Sequence, residues 1–337
     1  MLSSRQKLIL KAIIEEYVKD AQPVGSKSLT DKPYLSFSSA TIRYDMAQLE
    51  ELGYLEKTHT SSGRVPAEKG YRYYVNNLVT RDQSVTESFP LIDEIFAKSF
   101  IQRETAIEEA IKLLSDLTNY TALAIGPNAN QSLICKIDFI PTEQNEAVIL
   151  IVTDQGHVQH QNIRVPDEVK LDDLKEVIKT MDDLLRYKKI KDAKAILEAA
   201  FTKHEIKNYM DYQAQLIDSF IQAFAKFAEE NYYLSGLTNV FDQPEFHSAK
   251  QIKSFVDMFD RRDLVKLIGH EEGLKIRFGS DLQLIPMDNY TIISIPYYVS
   301  EEEKGTVAIF GPTRMEYRKV IPLLEYIASN LGKLYKK

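Results

Sequence analysis

The sequence has little of what membrane-bound or disulfide-stabilised proteins need. Cys135 is the only cysteine, so no disulfide can form within the chain, and a reducing compartment is expected. No apolar run approaches the roughly 18 residues of a membrane span. The stretch Met1–Asp20 also lacks the hydrophobic segment of a signal peptide. These absences predict a soluble, cytoplasmic protein with no membrane partner.

The residue patterns of catalytic sites are also missing. The thirteen glycines are scattered and form no phosphate-binding loop, and the six histidines do not cluster with other metal ligands. His157 and His160 lie three apart on a predicted strand, which places them on opposite faces. No nucleophile-elbow motif is present, and Cys135 fits a small buried residue of an apolar strand. We therefore predict no enzyme, no catalytic residues, no metal site and no cofactor.

Charge is distributed unevenly along the chain. The whole sequence carries a net charge of −7, which argues against an extended nucleic-acid-binding surface. Residues 1–80 nevertheless hold eleven lysines and arginines against nine acidic residues, or +2, and the remainder holds −9. Any nucleic-acid-binding function is therefore expected in the N-terminal part.

The stretch Ser38–Gly53 is predicted to form one amphipathic helix. Ser38 or Ser39 is expected to cap its start, and Gly53 to take the left-handed conformation at its end. Its core face carries Ile42, Met46, Leu49 and Leu52 at helical spacing. The opposite face carries Ala40, Arg43, Tyr44 and Ala47, flanked by Thr41 and Gln48. Alone, this stretch also fits an ordinary surface helix, but alanines beside hydrogen-bonding side chains are typical of a helix that enters a DNA major groove.

Flanking segments favour the DNA-binding interpretation. A first helix begins at a Ser3–Gln6 capping box and ends near Pro23 and Gly25, and a short second helix starts at Ser26. With Ser38–Gly53 they predict a helix-turn-helix. Residues 54–59 and the return strand at Arg64 then predict a β-hairpin wing, whose tip is rich in groups that bind phosphate. An ordinary solvated turn is the less favoured interpretation of this tip.

These elements define the predicted DNA contacts, in two groups. Base edges are expected to be read by Ser39, Thr41, Arg43, Tyr44 and Gln48, with Arg43 as the bidentate reader of a guanine. Phosphates are expected to be bound by Lys27, Ser28, Lys57, His59, Thr60, Ser61, Ser62 and Arg64.

Beyond residue 80 the pattern predicts a second, α+β region. Residues 81–90 read as a linker. Residues 91–337 hold helical patterns around two groups of strands, at 121–165 and at 275–310, with a helical stretch between them that includes residues 192–234. The last helix is expected to begin at a capping box formed by Thr313 and Glu316, so Gly311 to Met315 is interpreted as a strand-helix junction rather than an anion site. The predicted fold class is therefore α+β, with an N-terminal winged helix-turn-helix at 1–80 and a sheet domain that carries a largely helical insertion.

Two segments resemble a known family. The run SSATIRYDMAQLEELGYLEKTHTSSGRVPAEKGYRYYV, residues 38–75, resembles the winged-helix domain of the HrcA family of heat-inducible transcription repressors. The run GTVAIFGPTRMEYRKVI, residues 305–321, is similar to that family's C-terminal signature. The resemblance implies a GAF-like domain at 91–337, with an inserted dimerising domain at about 165–275.

The resemblance also implies a function. It is that of a homodimeric repressor which binds an inverted-repeat operator in double-stranded DNA upstream of chaperone operons and is released on heat stress. The GroE chaperonin would be a partner that keeps the repressor folded. A dimer seam can be suggested at Ile217, Phe220, Phe224 and Phe227, although a helix packed on the sheet fits the same spacing better.

Other functions remain open from the sequence. The main alternative is a DNA-binding regulator that senses a metabolite in the GAF-like domain. A scaffold protein whose winged helix binds protein is a second alternative, and an enzyme with an unrecognised site is a third.

Overall fold

The computed structural model describes most of the chain. The described residues are 2–57, 63–80, 89–97, 103–127, 131–142, 145–154, 156, 158–165, 167, 170–201, 232–246, 253, 268, 272–282, 289–300 and 303–334. The chain divides into two compact units: residues 1–123, 233–297 and 306–334 form the first, and residues 124–232, 298–305 and 335–337 form the second. Helices and sheets occur in both units, and the predicted α+β class is confirmed.

Three helices open the first unit: α1 (Ser4–Asp20), α2 (Ser26–Thr30) and α3 (Ser39–Glu51). Each long helix has the N-terminal cap that its sequence predicts. Ser3 and Gln6 form a reciprocal capping box on α1, and the Ser38 side chain accepts the Thr41 N–H on α3. Gly53 follows α3 with a φ of 76°, as expected of a residue in the left-handed region.

The core face of α3 is close to the predicted one. Ile42, Met46 and Leu49 are buried, and they pack with the buried apolar side chains of α1. Leu52 was expected on this face, but its side chain is 48% exposed. Leu52 is the C-cap residue after Glu51, and at 100° per residue its position falls at the edge of the buried face rather than at its centre.

The predicted hairpin lies directly after α3. Its strands, β1 (Leu55–Lys57) and β2 (Arg64–Pro66), are antiparallel, and Glu56 lies opposite Val65. The N–H and C=O of Val24 exchange hydrogen bonds of 2.9 Å with those of Arg64, which adds a bridge beyond β2. At Gly63 an added Cβ would lie only 2.9 Å from the Pro23 Cβ, so only glycine permits this close approach. The base of the hairpin is thereby fixed to the loop between α1 and α2.

The rest of the first unit surrounds a five-stranded sheet. Its strand order is β7-β3-β10-β9-β8, from strands β3 (Thr121–Ile125), β7 (Tyr232–Ser235), β8 (Lys275–Phe278), β9 (Tyr290–Tyr298) and β10 (Lys304–Pro312). Among its described residues, the α-helices of this unit beyond α3 are α4 (Glu68–Asn77), α5 (Pro90–Ala97), α6 (Arg103–Thr118), α9 (Gly279–Leu282) and α10 (Tyr317–Leu334). In the core, the rings of Tyr290 and Phe310 stack with centroids 5.1 Å apart. The central strands are buried along almost their whole length, which explains their continuous apolar sequence.

The second unit contains its own antiparallel sheet. Strands β4 (Ile134–Pro141), β5 (Glu146–Thr153) and β6 (Val158–Arg164) are neighbours in that order, and helices α7 (Leu171–Leu185) and α8 (Ile190–Phe201) follow. One face of the sheet alternates into a buried cluster that includes Ile137, Ile149 and Ile151 from the strands and Ile178 and Met181 from α7. The sequence had predicted one sheet for the strands on both sides of the insertion. The strands instead form two sheets, one in each unit.

Two predicted helix bounds need correction. Residues 192–234 were predicted as helix, but residues 232–234 belong to β7, where an aromatic and apolar run suits a strand. The last helix begins at Tyr317 rather than at Thr313. The Thr313 N–H instead donates to the Asn289 carbonyl at 2.7 Å, which holds this residue beside the sheet. The suggested dimer seam at residues 217–227 lies outside the described residues.

Among the helices that the structure describes, none is both long enough and apolar enough to cross a membrane.

Candidate nucleic-acid interface

One face of α3 is open to solvent. Ala40, Arg43, Tyr44 and Ala47 are all exposed, whereas the buried side chains of the helix lie on the other side. Ala40 and Ala47 thus lie beside the guanidinium of Arg43 and the phenol of Tyr44. The two small side chains allow a binding partner to come close to the helix backbone, and the two long side chains can reach that partner. This is the face that the sequence predicts for DNA contact.

The start of α3 carries three hydroxyl groups that are already hydrogen-bonded. Ser38 caps the helix, and its Oγ lies 2.9 Å from Thr41 Oγ1. Ser39 Oγ lies 3.0 Å from Ser26 Oγ at the start of α2. The bond between Ser26 and Ser39 links the two helices of the motif. A hydroxyl group has one hydrogen to donate and two lone pairs that accept, so Ser39 and Thr41 keep capacity for further partners.

The middle of α3 is tied to α1 by side-chain amides. Gln6 Nε2 donates to Gln48 Oε1 at 2.9 Å, and Gln48 Nε2 donates to the Tyr44 hydroxyl at 3.0 Å. Gln48 was predicted as a base reader. In the structure it is half-buried, and both ends of its amide are already hydrogen-bonded.

A buried acid holds the same two helices together. Asp45 lies on α3 with only 1% of its side chain exposed, and Arg5 Nε donates to its Oδ2 at 2.5 Å. Arg5 Nη2 donates to Oδ1 at 3.2 Å, so the pair is bidentate. The hydrogen bond to Asp45 raises the pKa of Arg5, and the Asp45 charge adds to this effect. Sequence analysis missed Asp45, although its position three residues after Ile42 and one before Met46 placed it at the core side of the helix.

The candidate phosphate contacts on α2 are accessible. Lys27 is exposed, and Ser28 is exposed with its hydroxyl donating to the Gly25 carbonyl at 2.8 Å. Both residues lie on the short helix that precedes α3 in the motif. Their position is compatible with contacts to the DNA backbone beside the groove that α3 would occupy.

The wing residues differ among themselves. Lys57 at the end of β1 is exposed. Arg64 at the start of β2 has only 15% of its side chain exposed and its Nε lies 2.6 Å from Glu50 Oε2 on α3. Arg64 therefore fastens the hairpin to α3, in addition to its bridge with Val24. His59, Thr60, Ser61 and Ser62 lie outside the described residues.

A second polar cluster connects α4 to the sheet of the first unit. Arg72 Nη2 lies 2.7 Å from Asp281 Oδ1 and donates to Ser280 Oγ at 3.0 Å. Its guanidinium also lies 4.6 Å from the centroid of the Phe278 ring. These contacts join residues more than two hundred positions apart, a pairing that sequence analysis did not predict.

Comparison with known proteins places this chain in a family. The family model described as "HrcA protein C terminal domain" matches residues 104–321. The chain is 59% identical over 336 residues to the heat-inducible transcription repressor HrcA of Acholeplasma laidlawii (strain PG-8A), which spans 100% of this chain and 98% of that relative. It is 49% identical over 337 residues to the repressor of the same name from Phytoplasma australiense, with 99% of each chain covered.

A solved structure supports the fold alone. It is the crystal structure of a hypothetical protein at 2.2 Å resolution, which aligns with a TM-score of 0.69 at 23% identity over 99% of both chains.

The family relationship confirms the predicted function at the level of the family. The relatives are transcription repressors induced by heat, which agrees with a repressor of heat-shock genes that binds DNA and is not an enzyme. The matched model covers more than half of the chain, and the relatives extend over its whole length. The chain belongs to the HrcA family of heat-inducible transcription repressors.

Proposed function

We propose that the chain represses chaperone operons as a homodimer in the cytoplasm, with α3 of each copy in the major groove of one half of an inverted-repeat operator. The exposed face of α3, with Arg43 and Tyr44 between Ala40 and Ala47, is the observation that carries this proposal. A two-fold axis in the protein would match the two-fold symmetry of the repeat.

Within each half-site, we divide the contacts by accessibility. Arg43 and Tyr44 are exposed and would make the main base contacts, with Arg43 on a guanine. Ser39, Thr41 and Gln48 already have protein partners, so they would add fewer contacts or shape the surface. Lys27, Ser28 and Lys57 would bind phosphates, as would His59, Thr60, Ser61 and Ser62. Arg64 would act mainly through its contact with Glu50, which fixes the wing.

We infer the regulation of DNA binding from the resemblance to the HrcA family. Heat would remove the repressor from its operator, and the GroE chaperonin would restore the folded, DNA-binding form. When unfolded proteins occupy the chaperonin after heat shock, less active repressor would remain. This part of the proposal rests on the resemblance and not on any contact within the chain.

A gel-shift titration tests the DNA-binding part. Purified protein is titrated onto an inverted-repeat chaperone operator and onto a scrambled duplex of the same composition, at several salt concentrations. We expect preferential binding to the operator and a linear fall of log affinity with log salt. Equal binding to both duplexes, or none at low salt, would contradict the proposed function and favour a protein partner.

Two further measurements test the assembly and the regulation. Sedimentation equilibrium of the protein on a whole operator and on an isolated half-site should give two copies on the former and weaker binding to the latter. Addition of GroE with ATP to protein that has been heated and cooled should raise the active fraction. A matched sample without ATP is the control, and an unchanged active fraction would remove the chaperonin from the proposal.

A further inference from the structure

A continuous chain of hydrogen bonds runs from the start of α1 to the exposed face of α3. The Ser3 N–H donates to Gln6 Oε1 at 2.9 Å, and Gln6 Nε2 donates to Gln48 Oε1 at 2.9 Å. Gln48 Nε2 then donates to the Tyr44 hydroxyl at 3.0 Å. Gln6 is buried and Gln48 is half-buried, so the chain passes from the interior to the surface.

The direction of this chain is fixed at its first member. A backbone N–H can only donate, so the atom of Gln6 that faces Ser3 must be the oxygen. The nitrogen of Gln6 therefore faces Gln48, which must present its own oxygen to it. The Gln48 nitrogen is left to face Tyr44 and can only donate. Neither amide can turn over without placing two donors or two acceptors against each other.

The direction of the hydrogen-bond chain determines the role of the Tyr44 hydroxyl at its end. Its oxygen accepts the bond from Gln48, which leaves its single hydrogen for a partner outside this chain. The Tyr44 side chain is 61% exposed and lies on the same face as Arg43. Its hydroxyl is thus oriented as a donor toward whatever α3 contacts.

We propose that Gln6 is a positioning residue that makes Tyr44 a hydrogen-bond donor to an acceptor oxygen or nitrogen on DNA. Gln6 itself does not touch DNA in this proposal, which rests on the proposed function of α3. The acceptor belongs to a base edge, such as guanine O6 or N7, thymine O4 or adenine N7, or it is a phosphate oxygen. In either case a hydrogen-bond donor of the DNA, such as the cytosine amino group, is disfavoured at this position.

The substitution Gln6→Glu reverses the direction of the hydrogen-bond chain and preserves the capping box. The new carboxylate still accepts the Ser3 N–H, and acidic residues are favoured at this position of a helix. A carboxylate cannot donate to Gln48, so the Gln48 amide turns over and presents its oxygen to Tyr44. The Tyr44 hydroxyl then donates its hydrogen to Gln48, so that this hydrogen is no longer available to bind DNA.

The experiment is a double-mutant cycle of Gln6→Glu and Tyr44→Phe, read as affinity for the operator. The added negative charge weakens operator binding in both backgrounds. The reversal of the hydrogen-bond chain weakens it only where the Tyr44 hydroxyl is present. We expect Gln6→Glu to cost about two- to tenfold more affinity in the natural background than in the Tyr44→Phe background. Equal losses in the two backgrounds would overturn the proposal. Thermal unfolding of each variant shows whether the fold is retained.

Gln48→Glu provides a second test if Gln6→Glu fails to fold. Its carboxylate accepts from Gln6 on one side and from the Tyr44 hydroxyl on the other, so it also draws the hydrogen inward. The same non-additivity with Tyr44→Phe is expected. Losses that add independently with Tyr44→Phe would again contradict the proposal.

Modified operators identify the acceptor. Replacement of single purines by their 7-deaza analogues removes N7, and single methylphosphonates remove a charged phosphate oxygen. One of these changes should weaken binding by the natural protein and have no effect on the Tyr44→Phe variant. If every modification has the same effect on both proteins, Tyr44 donates no bond to DNA.

A measurement without DNA separates this proposal from the proposed function. Neutron diffraction from deuterated protein should place a deuteron between Gln48 Nε2 and the Tyr44 oxygen, with the Tyr44 deuteron pointing away from Gln48. The opposite arrangement overturns the hydrogen-bond chain, even if the protein binds its operator. Lack of operator binding with the expected deuteron positions contradicts only the proposed function.

Discussion

Arg5 on the first helix forms a bidentate ion pair with Asp45, a buried carboxylate of α3. The two contacts measure 2.5 and 3.2 Å, and Asp45 lies between the exposed face of α3 and the apolar core. A buried carboxylate without its cation is costly, so this pair fixes the rotation of α3 about its axis. The orientation of Arg43 and Tyr44 on the exposed face of α3 therefore depends on Arg5, a residue of another helix.

Arg5→Met should lower both stability and operator affinity. The substitution keeps much of the side-chain volume but leaves Asp45 buried without its partner. Lys7→Met, on the same helix, removes the same charge from a residue for which no ion pair is described and should change stability by about 0.5 kcal/mol or less. Urea unfolding and operator titration of both variants provide the measurement. If the two variants behave alike, the Arg5–Asp45 pair does not anchor the recognition helix.

Arg43→Ala should weaken operator binding by about 1–3 kcal/mol and relax base preference at one position of each half-site. Arg43 is exposed on α3, so stability should be almost unchanged. Lys57→Ala is the matched control, because it removes an exposed cation from the wing rather than from the reading face. It should weaken binding to all sequences and reduce the salt slope by about one. A selection of bound sequences from a randomised operator pool distinguishes the two, and an unchanged preference for the Arg43 variant would contradict its role.

Glu50→Gln should strengthen DNA binding at low salt. Glu50 pairs with Arg64 at 2.6 Å, and its neutralisation leaves a full positive charge near the wing. The salt slope should become steeper by about 0.9 if Arg64 then reaches a phosphate. Glu51→Gln removes the same charge from the adjacent exposed residue and should have a smaller effect, since no ion pair of Glu51 is described. Equal effects of the two variants would indicate that only net charge matters at this site.

Local patterns in the sequence predicted the caps of α1 and α3 well. The capping box at Ser3 and Gln6, the cap at Ser38 and the left-handed Gly53 are formed by residues close together in the sequence. Hydrophobic spacing placed the exposed face of α3 for the same reason, because helical phase depends on neighbouring residues only. These features required no knowledge of the tertiary structure.

Contacts between distant residues were not predictable in this way. The ion pair of Asp45 with Arg5 depends on how α1 packs against α3, and the ion pair of Arg64 with Glu50 depends on where the hairpin lies. Strand pairing has the same limitation, since the period of a strand gives its faces but not its neighbours. The separation of β4, β5 and β6 into their own sheet therefore emerged only from the structure.

Acid should weaken the second unit through Asp182 on α7. Its buried carboxylate accepts the Ile137 N–H at 2.7 Å and the Lys136 ammonium at 3.1 Å, and it pairs with Arg186. Burial by itself raises the pKa of Asp182, but these hydrogen bonds outweigh burial and hold the pKa below its ordinary value of 3.8. The ionised form thus stabilises the folded unit above pH 3.8, and this contribution is lost as the pH falls further and the carboxyl is protonated.

Asp182→Asn should remove this pH dependence and lower the stability of the second unit by a similar amount at every pH. An amide cannot accept from all three donors, and a buried N–H left without a partner costs about 1–3 kcal/mol. Urea unfolding with pulsed hydrogen exchange on peptides from β4 and α7, at pH 7 and at pH 3, measures the stability of this unit. The natural protein should lose more stability between the two pH values than the variant does. Asp183→Asn changes the adjacent, exposed acid and should retain the natural pH dependence, because the carboxylate that accepts from β4 is that of Asp182. A natural protein and an Asp182→Asn variant with identical pH dependence would show that another group governs the acid response.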